Sequence, residues 1–345
     1  MNALLPTAGA GVRRAGAEDE PAIEGFLARH PGATPFHRPA WLRAVEHSCG
    51  HRAHLLVAER LGALTAYLPL THVRSKLFGS ALVSSGFAVG GGILADDAAS
   101  AARLAAAAVQ LADELGCRTV ELRGGEPPLG WQRKAGVYAG FERDLPQGDE
   151  AILKSIPRKQ RAEVRRAIGN GLTVETGRDS AAHHLVYAES VRNLGTPVFP
   201  RRLFEAMLES FGADSEVLTV SVGGRPLASV LSLYFKGTVY PYWGGGTAEG
   251  RQLRASELMY YELMRRAAAR GCTRFDFGRS KLGTGAFAFK RNWGFEPRPL
   301  VYAVHGEGRD INPLSAKYRL QVALWKKLPL ALANRLGPLV ARGLA

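Results

Sequence analysis

Two apolar-rich stretches of the chain are each broken by a glycine turn. In "HLLVAERLGALTAYLPL" (54–70) the turn falls near Gly62, and in "EVLTVSVGGRPLASVLSLYF" (216–235) at Gly223-Gly224. Apolar runs joined by such a turn predict a β-hairpin in each half. Downstream of each hairpin stands a second repeated passage. One reads "GFAVGGGILADDAASAARLAAAAVQLADELGCRTVELRGG" and the other "TVYPYWGGGTAEGRQLRASELMYYELMRRAAARGCTRFDFGRS". Both run strand, triple glycine, polar turn, long helix, Gly-Cys, strand. The triplets end at Gly92 and Gly246 and the Gly-Cys pairs begin at Gly116 and Gly271, so the two units superpose almost without insertion.

The second long helix is predicted to begin near Ser256 as N-cap, with Glu257 suited to the positive end of the helix. Gly271 is placed to end it, and Gly116 ends the alanine-rich helix of the first unit in the same way. Hairpin, strand, helix, strand and a further αβ piece, twice over, predict an α/β fold of mixed sheets with helices packed on them. The reading gives a first domain at 1–150, a second at 151–305, and a C-terminal helical tail at 306–345.

Composition narrows the class. With 345 residues, 46% hydrophobic and 22% charged, the chain has the make-up of a globular protein able to bury two cores. No apolar run is long enough to span a bilayer, and the N-terminal stretch lacks the basic start and apolar core of a signal peptide. The expected location is cytoplasmic, with peripheral contact at the inner membrane left open. Three dispersed cysteines suit reduced thiols. The net charge of +14 favours anionic partners: phosphorylated ligands, nucleic acid or an anionic membrane surface.

Hairpin, glycine turn, helix and strand in this order resemble the GNAT acyltransferase fold, and the duplication resembles the FemAB family of tandem GNAT-like domains. "LKSIPRKQRAEVRRAIGNGLTVE" (153–175) is similar to that family's basic helix, and "GAFAFKRNWGF" (285–295) to its closing aromatic-lysine motif. With "RNLGTPVFP" and "WKKLPLALANRLGP" these motifs most resemble FemAB-related proteins of exosortase/PEP-CTERM and exopolysaccharide systems. The resemblance implies transfer of an acyl or aminoacyl group to an amine, with no tightly bound cofactor and no metal. It implies acyl-CoA or aminoacyl-tRNA as co-substrate, so tRNA is a candidate partner, and a phosphorylated envelope or exopolysaccharide precursor as acceptor. It gives Lys290 a role in donor binding and charge stabilisation.

The residues themselves offer chemistry for such a step. Asp276 lies on the strand 274–278 and matches Glu121 of the first repeat; it reads as a structural ion pair with Arg274 or Arg279 ahead of a general base. "GRSKLGTG" supplies Arg279, Ser280 and Lys281 beside three glycines, a setting for anion contact without the P-loop pattern. The basic helix is predicted to begin at Pro157. It places Arg158, Arg161 and Arg165 on one face, reinforced by Lys159, with Val164 and Ile168 anchoring another face. Tyr242 completes the substrate-binding set. In "GGGTAEGRQLRAS" (244–256) Arg254 stands where the family's pyrophosphate loop has its central glycine, which weakens an ordinary acetyl-CoA assignment. "CGHRAH" and His183-His184 fall short of a metal site.

The tail "YRLQVALWKKLPLALANRLGPLVARGLA" is expected to form short amphipathic helices divided by Pro329 and Pro338, suited equally to an anionic membrane or to covering a sheet. Two further readings stay open: an acyl-CoA-dependent acetyltransferase of an amino sugar or protein amine, and a non-catalytic anion-binding adaptor.

Overall fold

In a computed structural model, which describes residues 10–75, 78–308 and 318–344, the chain divides into two units, each with its own mixed sheet. The residues on which the signal-peptide reading rests lie largely outside the described ones, as does the segment that joins the last strand to the tail.

The first unit comprises the described residues up to Lys134 together with 301–308. Its strands are β1 (Ala10–Ala15), β2 (Arg52–Arg60), β3 (Ala63–Ser75), β4 (Gly79–Ser84), β5 (Leu94–Ala95), β6 (Thr119–Arg123), β7 (Gln132–Lys134) and β15 (Tyr302–Gly306). They run in the order β1-β2-β3-β4-β6-β15-β7, with β5 paired to β3. The predicted hairpin is β2–β3, turned by Leu61 and Gly62, both at positive φ. Helices α1 (Glu20–Arg29), α2 (Pro39–Cys49) and α3 (Ala98–Glu114) belong to this unit. Asp97 caps α3 by accepting from the Ser100 N–H, and Gly116 turns the chain out of it at φ +65.

The second unit holds the described residues of 135–300 and 318–344. Its sheet contains β8 (Tyr138–Asp144), β9 (Thr173–Gly177), β10 (Ser215–Val222), β11 (Arg225–Phe235), β12 (Thr238–Gly246), β13 (Arg274–Lys281) and β14 (Pro297–Pro299). The order is β14-β8-β13-β12-β11-β10-β9. Its helices are α4 (Asp149–Ser155), α5 (Arg158–Ile168), α6 (Ser180–Leu194), α7 (Arg201–Phe211), α8 (Ala248–Gln252), α9 (Ala255–Ala269), α10 (Gly285–Asn292), α11 (Arg319–Lys327) and α12 (Leu330–Ala341). The core packs α4, α5, α9 and α10 on one face of the sheet around Phe141, Phe275, Phe277, Trp293 and Phe295, all buried.

The sequence boundaries do not coincide with these units. Strand β8, read as part of the first domain, pairs with β13 in the second sheet. Strand β15, read as part of the second, pairs with β6 in the first. Each sheet is therefore completed by a strand from the other repeat, a long-range pairing that no local pattern encodes.

The two triple-glycine passages also part company. Gly244, Gly245 and Gly246 lie within β12 itself. A Cβ on Gly245 would stand 2.7 Å from the Ser190 Cβ of α6, and one on Gly246 2.7 Å from the Ser256 Oγ of α9. The glycines let two helices approach one strand closely. In the first unit the corresponding passage is a buried loop with Ser85 and Phe87 at positive φ. Tight bonds hold it: Ser85 Oγ donates to the Phe36 carbonyl at 2.6 Å and Arg123 Nη1 to the Ala88 carbonyl at 3.1 Å.

Candidate active site

Strands β12 and β13 are parallel, but their register covers only Thr238–Arg274 and Val239–Phe275. Beyond those positions β13 pairs only with β8, across an irregularity between Asp276 and Arg279 where Gly278 takes φ +68. On its other side β12 carries a bulge at Tyr242: Leu231 faces Trp243 and Ser232 faces Pro241. Two bulges flank the end of a short parallel ladder, the sort of break that re-aims side chains in a sheet.

Asp276 sits at this break. It accepts a 2.8 Å bond from the Gly278 N–H and forms no ion pair among the described residues. The sequence reading of an ion pair is corrected here: Arg274 goes to Glu142 at 3.0 Å, and the Arg279 guanidinium lies 4.6 Å over the Tyr138 ring. The repeat-related Glu121 does pair, with Arg123 at 2.7 Å. Thus one acid of the matched pair is neutralised and the other is not. Burial pushes the Asp276 carboxyl up to about 6, and the neighbouring Glu142 adds to the rise; the Gly278 bond and the Lys290 charge oppose it.

Lys290 rises from α10, whose first turn is capped by Thr284 accepting from the Phe287 N–H. Its Nζ donates to the Arg279 carbonyl at 2.9 Å and lies 5.3 Å from the Phe277 ring centroid and 5.5 Å from that of Phe141. Burial lowers the ammonium to about 7, with Asp276 opposing. Both side chains keep partial exposure while protein surrounds them on most sides, the condition of groups lining a cleft. Tyr240 stands close enough to Asp276 for its charge to raise the phenol further above the usual range, after burial.

The remaining predicted residues are less concentrated. Ser280 is buried and its Oγ has no hydrogen-bond partner among the described residues, while Lys281 is partly exposed at the end of β13. Helix α5 begins at Arg158, with Pro157 as its cap and not its first residue. Arg158, Lys159 and Arg165 are exposed and make no hydrogen bond or ion pair among the described residues, though the charge of Lys159 acts on Glu163. Arg161 is partly buried and donates through Nε to the Ile156 carbonyl. Val164 anchors the helix as predicted, but Ile168 is 52% exposed. The second long helix is capped by Arg254 and not by Ser256. Arg254 takes φ +56, the left-handed conformation a glycine would favour there, and its side chain is bound to Glu163 of α5.

Sequence reasoning missed an aromatic shell. Tyr260 of α9 meets Phe277 at 4.6 Å, Phe289 at 5.7 Å and Trp293 at 6.0 Å between ring centroids. The glycines of β12 were the available signal, because a Cβ on Gly244 would lie 2.5 Å from the Tyr260 hydroxyl. His183 is another: it is buried, bonded through Nδ1 to Ser229 Oγ at 3.0 Å, and burial lowers it to about 3. Among the described residues no cluster of His, Cys, Asp and Glu is arranged to hold a metal ion.

Residues 156–291 match the family described as the acetyltransferase (GNAT) domain. The second unit carries a GNAT acyltransferase domain. The match supports an acyltransferase enzyme. The chain is also similar to solved tandem structures. FemX shares 15% identity at a TM-score of 0.67, over 84% of this chain and 96% of that one. A tandem GNAT protein from the clavulanic acid biosynthesis pathway shares 12% at a TM-score of 0.56, over 87% and 99%. L-PGS from Bacillus licheniformis shares 15% at a TM-score of 0.51, over 92% and 99%. At these identities the likeness is one of fold, and it extends the tandem GNAT architecture over most of the chain. No curated protein matches the sequence. None of these matches names an exosortase or exopolysaccharide system. Within the matched residues, β12 and β13 are the strands whose ladder ends before Asp276, and α9 begins at Ala255 after its cap Arg254.

Proposed function

We propose that the second unit catalyses N-acyl transfer at the break between β12 and β13. The observation that carries this reading is the unpaired Asp276 beside Lys290, on a domain of acyltransferase fold. An amine nitrogen attacks the carbonyl carbon of a thioester or ester donor, and the Asp276 carboxylate accepts the amine proton. The tetrahedral oxyanion faces the Lys290 ammonium, which has donors to spare beyond its bond to the Arg279 carbonyl. Collapse forms the amide and breaks the bond to the leaving thiolate or alkoxide, which takes up a proton.

The donor is acyl-CoA or aminoacyl-tRNA. Support for a phosphate-bearing donor comes from Arg254, which takes a left-handed φ that a glycine would favour and has its side chain held by Glu163. The acceptor is an amine on a phosphorylated envelope or exopolysaccharide precursor, with the exposed Arg158, Lys159 and Arg165 of α5 as its phosphate contacts. Arg279, Ser280, Lys281 and Tyr242 line the same end of the sheet. The test incubates purified protein with acyl-CoA and aminoacyl-tRNA donors and an amine panel, following amide product by mass spectrometry. Wild-type transfer abolished in Asp276→Asn and Lys290→Ala supports the site. Transfer unaffected by both removes it, and no transfer with any donor alongside retained anion binding favours an adaptor.

A further inference from the structure

Helices α11 and α12 pack on α6, and α12 does so with small side chains inward. Ala333, Gly337 and Ala341 are the buried residues of α12, and a Cβ on Gly337 would stand 2.9 Å from the Val198 carbonyl oxygen. Leu330 packs against Ala188, Val191 and Val198, but the other three leucines of α12 face away: Leu332 is 42% exposed, Leu336 37% and Leu339 61%, at i, i+4 and i+7 of one face. Leu320 and Leu324 of α11 are exposed as well, one turn apart, while Val322 and Trp325 are the partly buried residues of that helix. A helix that served only to cover its domain would bury its leucines. Pro338 lies inside α12 and does not divide it, so this face is continuous over about two turns.

The charges are equally one-sided. Arg319, Lys326, Lys327, Arg335 and Arg342 are exposed, and residues 318–344 contain no Asp or Glu. Outward leucines flanked by long cationic side chains match the two layers of an anionic bilayer surface, acyl chains below and phosphate above. A protein partner or a second copy would have to offer an apolar face rimmed with acids, yet the copy itself carries +14 and this face carries only cations. We propose that α11 and α12 dock the second unit on the surface of an anionic phospholipid membrane. No helix among the described residues is long and apolar enough to cross one, so the contact lies in the interface plane. This inference stands apart from the acyl-transfer reading.

The experiment is flotation of the full chain with phosphatidylcholine vesicles and with vesicles that also contain phosphatidylglycerol, at low and high salt. The chain is expected to float with the anionic vesicles only, and less at high salt. Leu336→Asp with Leu339→Asp should weaken binding about tenfold or more, and Lys326→Glu with Lys327→Glu by about as much. Both pairs are exposed, and unchanged circular dichroism and Tm check the fold. Should the leucine pair misfold, the lysine pair still supplies the test. Wild type that ignores anionic vesicles, or binding kept in full by the folded variants, overturns the proposal. A dimer in light scattering that only the leucine pair dissolves, without vesicle binding, overturns it in favour of a second copy.

Discussion

The Lys290 ammonium donates a 2.9 Å hydrogen bond to the carbonyl oxygen of Arg279, just past the glycine that bends β13. This bond ties α10 to the irregular part of the strand and sets a cation beside Asp276. The helix therefore carries its charge to the place where the ladder between β12 and β13 ends.

The opposite shifts of Asp276 and Lys290 predict a bell-shaped pH–rate profile. A base must be ionised, so kcat/KM should rise through about pH 6, where Asp276 titrates. An ammonium must stay protonated, so the rate should fall through about pH 7. Lys290→Arg, which cannot lose its proton in this range, should move the alkaline limb upward; a profile with that limb unmoved would assign it elsewhere.

The same shifts have a stability sign. Asp276 titrates higher folded than unfolded, so the folded state binds the extra proton between pH 3.8 and about 6 and loses stability as pH rises through that window. Asp276→Asn should raise stability at pH 7.5 by about 1 kcal/mol while lowering transfer at least about a hundredfold. Lys290 titrates lower folded than unfolded, so stability should increase between about pH 7 and 10.5 in the wild type and not in Lys290→Met. Thermal melts across pH read both.

Gly250 is expected to tolerate no side chain. Its Cβ would meet the Leu227 carbonyl oxygen at 2.5 Å, a backbone atom that cannot swing aside. Gly250→Ala should cost about 1–3 kcal/mol in urea denaturation.

Glu216 braces β10 against α9. Arg266 binds it through Nε at 2.7 Å to both carboxylate oxygens, Arg270 adds an ion pair at 3.6 Å, and the Tyr234 hydroxyl donates to it. Glu216→Ala leaves these donors facing a gap and should cost about 3–5 kcal/mol. Denaturation that shows less than about 1 kcal/mol would mean the arginines find water instead.

Removing charge from α5 should act on binding alone. Arg158→Ala with Lys159→Ala and Arg165→Ala touches only exposed side chains, so stability should change by no more than about 0.5 kcal/mol per site. Affinity for a phosphorylated acceptor and its dependence on salt should both decline, as isothermal titration at two salt concentrations would record.

The sequence by itself determined the local elements. The apolar runs around Gly62 and Gly223-Gly224 became the hairpins β2–β3 and β10–β11, and Gly116 and Gly271 end their helices at positive φ as expected. Turn chemistry and helix termination depend on neighbouring residues, so they can be read from neighbouring letters. The caps at Arg254 and Pro157 escaped, because side-chain preference favours Ser256 while the backbone had already turned at Arg254. Only the tertiary structure decided that β8 and β15 complete the sheets of the opposite repeats. Only it separated Glu121, paired with Arg123, from Asp276, left unpaired beside Lys290. The two acids occupy matching positions in sequence. What differs is the third dimension: an arginine reaches the carboxylate of Glu121, and none among the described residues reaches that of Asp276.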